Sequence, residues 1–150
     1  MGQEITEESR AGTELARNKE VARRYFEELV NERRLDLLEE IVAEDAADET
    51  RVGPGGRGTR EDFREHALWL FENVGDARTT ITDVVAEGDR VVVFWRLEGV
   101  QLGEFFGVPA TGRPFSGASI STLTIRDGKV VRYHVLPDRL GVVRQLEGTA

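Results

Sequence analysis

Two long stretches in the second half of the chain carry strand-period sequence bounded by Gly and Pro turns, with successive residues on opposite faces. That period admits only strands with one buried face. In Arg90 to Val100, Val91, Val93, Trp95 and Leu97 alternate with Val92, Phe94, Arg96 and Glu98. In Phe115 to Arg126, Phe115, Ser119, Ser121, Leu123 and Ile125 share the side assigned to the interior. Turn chemistry joins these stretches into hairpins. Thr79 to Ala86 turns at Glu87-Gly88-Asp89 into Arg90, and Phe115 to Arg126 turns at Asp127-Gly128 into Lys129 to Leu136. Pro137 stops the last strand, and Asp138 is placed to N-cap a final short helix ending near Leu146.

Upstream the period changes to that of helices. Between Leu15 and Val30 the apolar residues Ala22, Tyr25, Phe26, Leu29 and Val30 form an amphipathic stripe. A short second helix follows with Leu35, Leu38, Ile41 and Val42 on one side. The third opens at Thr59-Arg60-Glu61-Asp62, which fits a capping box, carries Phe63, Ala67, Leu70 and Val74, and has Gly75 placed to end it. Residues 1–14 are polar, acidic and turn-rich and read as a disordered tail ahead of a single domain over 15–150. The glycine-rich stretch from Glu44 to Gly58 reads as either a surface loop or a flap over a pocket. Three helices followed by antiparallel hairpins give an α+β domain, the helices packed on one face of a curved sheet.

Composition removes several classes of function. The formal net charge of −8 disfavours a nucleic-acid partner, and Arg23, Arg24, Arg60 and Arg64 are interleaved with acids as on a solvated helix face. The absence of cysteine excludes disulfides, thiolate nucleophiles and cysteine metal sites. The two histidines, His66 and His134, lie far apart with neither an HxH nor an HExxH arrangement, so no metal is expected. Gly53 to Gly58 follows a helix and lacks the Lys-Ser/Thr of a phosphate loop. No apolar run approaches the ~20 residues that span a bilayer, and the first residues lack the apolar core of a signal peptide. A cytoplasmic protein is the expectation.

A set of short motifs, in order, carries a resemblance: Gly103-Glu104-Phe105, Gly107, Thr111-Gly112-Arg113, Phe115-Ser116-Gly117, Asp127-Gly128-Lys129, Pro137-Asp138 and Arg144-Gln145-Leu146. Gly58, Val85 to Val91 and Gly99 extend it upstream. Together these pieces resemble the SnoaL-like polyketide cyclases, over nearly everything after Asn18. The resemblance implies a nuclear transport factor 2-like cone with a pocket between helices and sheet. It also implies a homodimer, no metal or organic cofactor, and acid/base chemistry on a flat, oxygenated aromatic polyketide. In that family a carboxylate removes a proton alpha to a carbonyl and polar neighbours stabilise the enolate. Matched position by position, the base on the last strand falls on Val135, and a Gln-x-His pair on the preceding strand falls on Ser119 and Ser121. Valine cannot accept a proton, so the resemblance holds for the frame and departs at the catalytic positions.

Other groups could carry the chemistry. His66, a turn before Trp69, could be base, acid or oxyanion donor, and is equally explained as an ordinary helix histidine. Asp138 is the carboxylate nearest Val135, though an N-cap role explains it completely. Ser119 and Ser121 suggest a polar cavity wall, because hydroxyls buried without partners are costly. Trp69 and Trp95 could contact a flat ligand, while Tyr25 and Tyr133 could offer phenols to an oxyanion; packing is the default for each aromatic. Gln101 could hydrogen-bond a ligand at the rim, and Glu49 is a further polar candidate. His134 neighbours Val135 and so faces the other way. Two functions follow: an enzyme of aromatic polyketide metabolism performing cyclisation, isomerisation or hydration with a divergent site, or a non-catalytic protein binding a hydrophobic small molecule in the same pocket.

Overall fold

The computed structural model describes residues 6–51 and 56–148. Helix α1 spans Glu7–Arg24 and runs directly into a π-helical turn at Tyr25–Val30; Leu35–Leu37 is 3-10 and α2 spans Leu38–Ile41. Strand β1, Val42–Asp48, leads through a 3-10 turn at Glu49–Arg51 to α3, Arg60–Asn73. Then come β2 (Val74–Glu87), β3 (Arg90–Gln101), β4 (Pro114–Arg126), β5 (Lys129–Pro137) and α4 (Arg139–Glu147). The five strands form one sheet in the order β1-β5-β4-β3-β2, with β1 parallel to β5 and every other pair antiparallel.

The hairpins follow the alternation. Val91, Val93, Trp95 and Leu97 of β3 and Phe115, Ser119, Ser121, Leu123 and Ile125 of β4 are buried on one face, where α1, α3 and α4 also pack. Arg96 and Glu98 are exposed on the other, Arg96 donating to the Ser116 hydroxyl at 2.6 Å. Helix α4 is pinned to β4 by Gln145, whose amide accepts from the Ser116 N–H at 3.0 Å and donates to its carbonyl at 2.8 Å.

Four local expectations are corrected. The helix begins at Glu7 rather than Leu15: Thr6 caps it by accepting from the Ser9 N–H, and Glu7 and Glu8 complement the helix dipole in the first turn. Residues 6–14 are exposed, so this extension has no apolar stripe to reveal it; residues 1–5 of the expected tail lie outside the described residues. The stretch read as loop from Glu44 contains most of β1, whose Ala46 and Asp48 are buried; Gly53, Pro54 and Gly55 of the candidate flap lie outside the described residues. Thr59 makes no side-chain cap; instead the Asp62 carboxylate accepts from the Arg57 and Gly58 N–H groups at 2.9 and 2.8 Å, closing the turn ahead of α3. Helix α3 stops at Asn73, and Gly75 lies inside β2.

The π-helical turn matters for the interior. Its wider winding places Tyr25, Phe26, Leu29 and Val30 all in the buried set. Asn31 fixes the end of that turn, donating to the Thr79 carbonyl and accepting from the Thr79 N–H, both at 2.8 Å.

Candidate functional site

A cavity of about 560 Å³ opens between the helices and the buried face of the sheet. Its walls are mostly aromatic and aliphatic, with few polar groups, as in sites for small organic molecules. Tyr25, Trp69, Trp95, Ser119, Tyr133 and Val135 all line it, and so does His66.

The polar end is built by three elements. β1 ends at Asp48, which pairs in register with Tyr133 of β5, and α3 brings His66 over the same corner. Arg60 anchors the start of α3 by donating to the Val42 carbonyl at 2.9 Å. His66 Nδ1 lies 2.7 Å from Asp48 Oδ2, while Asp48 Oδ1 accepts from the Thr50 N–H at 3.0 Å and the Thr50 hydroxyl at 2.6 Å. Burial alone raises the Asp48 pKa, but the hydrogen bond and charge of His66, with the two Thr50 bonds, outweigh it and hold the carboxyl below its ordinary value. Asp48 is therefore ionised at neutral pH and can only accept. Nδ1 must be the donor, and in the neutral ring Nε2 then carries the free lone pair. An imidazole so oriented by a buried carboxylate can accept a proton at Nε2.

The sign of the resulting pH dependence follows from the lowered pKa. Asp48 contributes stability above its unfolded value near ~4 and loses it as pH falls toward the folded value. Thermal unfolding should show the melting temperature falling below about pH 4, with a shallower fall in Asp48→Asn across that window. An identical pH profile for the two proteins would contradict the assignment.

Beside the pair, Trp95 Nε1–H donates to Ser121 Oγ at 2.8 Å, and Ser121 Oγ lies 3.1 Å from the Tyr133 hydroxyl. Burial pushes the Tyr133 phenol well above its ordinary value; the Ser121 bond opposes the rise and the Asp48 charge adds to it. Tyr25 is raised by burial, by Tyr133 and by Asp48. Both phenols stay protonated and can donate. The Tyr133 ring centroid is 6.2 Å from that of His66 and 5.3 Å from that of Tyr25. Ser119 keeps its hydroxyl free of other described residues at the cavity wall.

Four expected site residues sit elsewhere. Asp138 accepts from the Gly141 N–H at 3.0 Å as the N-cap of α4. Glu49 pairs with Arg132 at 3.0 Å, outside the lining. Ser121 is fully buried behind the wall, between Trp95 and Tyr133. Gln101 is also fully buried; its amide donates to the Val108 carbonyl at 2.8 Å and accepts from the Thr111 N–H and hydroxyl at 3.0 and 2.6 Å. It acts on the cavity through the loop it holds. That loop turns tightly at Phe106 and Gly107, both at positive φ, and carries Phe105 and Phe106 into the lining. The sequence alone does not single out Asp48. Its one signal is the Ala46–Asp48 spacing, which puts the carboxylate on the buried side of a strand that looks like loop. Val135 lines the cavity, paired with Ser121 across the sheet, and His134 is not among the lining residues.

The model of the SnoaL-like polyketide cyclases matches residues 20–146. The chain belongs to the SnoaL-like polyketide cyclase family. Among members of this family, it is 48% identical over 87 residues to aklanonic acid methyl ester cyclase DnrD of Streptomyces peucetius, a match that covers 57% of this chain and 60% of that protein, less than two thirds of its length. It is 27% identical over 117 residues to the nogalonic acid methyl ester cyclase of Streptomyces nogalater, covering 77% of this chain and 87% of that protein. The fold matches TsrD from Streptomyces laurentii with a TM-score of 0.78 and 27% identity, over 87% of this chain and 95% of that one. Like these SnoaL-like folds, the domain packs helices on a mostly antiparallel five-stranded sheet of the nuclear transport factor 2-like type. Among the described residues no helix is long and apolar enough to cross a membrane, and no cluster of three or more His, Asp or Glu is placed to hold a metal ion.

Proposed function

We propose that this family member is an acid/base enzyme acting on a flat, oxygenated aromatic polyketide, and that His66, oriented by Asp48, replaces the carboxylate base expected at Val135. The observation that carries the reading is the 2.7 Å Nδ1 contact to a buried carboxylate, which leaves Nε2 to the aromatic cavity. His66 takes a proton from the carbon next to a carbonyl, and the electron pair moves to the carbonyl oxygen. The Tyr133 phenol and the Ser119 hydroxyl donate to that oxygen. In a ring closure the carbanion adds to a second carbonyl, and the imidazolium returns the proton to the new alkoxide, so no proton is gained or lost overall. The names of the cyclases above make methyl esters of aromatic polyketide acids the first substrates to offer. A homodimer and a cytoplasmic setting belong to the same proposal.

A second reading is favoured by Val135 at the base position and by Ser121 being fully engaged within the wall: a protein that binds the aromatic molecule unchanged. Incubation in deuterium oxide separates the two. The enzyme reading expects deuterium at the carbon next to the carbonyl, together with product on chromatography. Binding with neither exchange nor product would overturn it in favour of the second.

A further inference from the structure

We propose that Trp95, Ser121 and Tyr133 form a one-way chain of hydrogen-bond donors that ends in the cavity. Trp95 and Ser121 are its positioning residues, and they aim the Tyr133 proton at an anionic oxygen of the bound aromatic molecule. The inference rests on the reading of Tyr133 as the donor to that oxygen, and deepens it. The register of the sheet draws the three residues into one diagonal line. Trp95 on β3 stands opposite Ser119 of β4, two residues before Ser121; Tyr133 on β5 stands opposite Leu123, two residues after it. Residues so spaced share a face and reach one another across adjacent strands.

Donor chemistry fixes the direction. An indole N–H can only donate, so Ser121 Oγ accepts from Trp95 at 2.8 Å. The serine proton then needs an acceptor of its own. Ser121 is fully buried, and the Tyr133 hydroxyl, 3.1 Å away, is its one other partner among the described residues. Were Tyr133 to donate to Ser121, the serine proton would be buried unpaired, at the full desolvation cost of that group. With Ser121 donating, the one proton left over is that of Tyr133, and Tyr133 lines the cavity.

Each bond strengthens the next, because an oxygen that accepts a hydrogen bond holds its own proton less tightly. A serine suits the middle of such a chain, since its hydroxyl accepts and donates at once. The Asp48 charge at the same corner opposes ionisation of Tyr133, so the phenol shares its proton with the ligand oxygen and keeps it. The three residues stand on β3, β4 and β5, each bonded to a neighbour on both sides, so the line is in place before a ligand arrives. The group it suits is an enolate oxygen or an ionised aromatic hydroxyl.

Two probes test the chain: 2-hydroxyanthraquinone, whose absorption moves to the red when its hydroxyl ionises, and 2-methoxyanthraquinone, which has no such proton to lose. Each is bound to the full chain at one fixed pH near the midpoint of the free hydroxyl probe. The colour of the bound hydroxyl probe gives its ratio of anion to neutral form. Ser121→Ala should lower that ratio about fivefold and Tyr133→Phe about tenfold, with binding of the methoxy probe changed by less than about twofold. Because Ser121 acts through Tyr133, the double variant should match Tyr133→Phe alone. A ratio unmoved by Ser121→Ala, an additive loss in the double variant, or equal loss of both probes in Ser121→Ala overturns the chain and leaves Tyr133 as donor. A ratio unmoved by Tyr133→Phe overturns the donor reading and the chain with it. Failure of both probes to bind the unaltered protein overturns the cavity reading itself.

Discussion

Replacing His66 with glutamine is expected to lower turnover, or the deuterium exchange that stands in for it, by about 10²–10⁴-fold, the range typical of a positioned general base. The substitution keeps a hydrogen-bonding side chain near Asp48, and His66 is only partly buried, so the fold should survive. Asp48→Asn is expected to cost on the order of 10²-fold by a different route. The amide can donate toward Nδ1 and so favours the tautomer with its proton on Nε2, the wrong nitrogen for a base. Because the two residues act as a unit, the double variant should be little worse than His66→Gln alone. Turnover within threefold of the original in His66→Gln would move the base elsewhere and end the proposal.

Phe26→Ala is expected to give the largest loss of stability, about 3–5 kcal/mol, because it removes a buried ring and leaves a cavity among its aromatic neighbours. Phe26 is 1% exposed, packs edge-on to Tyr25 at 5.5 Å and tilts over Trp95 at 5.1 Å. For a domain of ordinary stability that is a large share of the total and a fall in melting temperature on the order of 10 °C. Urea unfolding followed by the emission of buried Trp95 measures it. A loss under about 1 kcal/mol would mean that the ring does not hold the π-helical turn against the sheet.

Much of the frame was legible because it is written in short-range pattern. The two hairpins, the buried sides of β3 and β4, and the cap at Asp138 each follow from spacing or turn chemistry within a dozen residues. β1 was not legible. Its sequence, Val42–Asp48, is acidic and alanine-rich, without the branched and aromatic residues that mark strands, and its pairing partner lies on β5 far along the chain. Losing the strand meant losing Asp48, and with it the reason to prefer His66 as a base over an ordinary helix histidine. Gln101 shows the reverse case. Sequence offered it as a ligand contact at the rim, but it is buried outside the lining, and only the positions of Val108 and Thr111 reveal that its amide is consumed in holding the loop.

β1 is bonded to the sheet on one side only, and its ladder with β5 is interrupted between Val42 and Ala47. Edges of this kind open at a lower free energy than the strands inside them. Foldedness and competence are therefore separate properties of this molecule. Fraying of one marginal strand withdraws the carboxylate from the imidazole while the four antiparallel strands stay assembled. On the proposed mechanism, activity would be lost before the antiparallel sheet comes apart, a fuse placed at the rim of the scaffold.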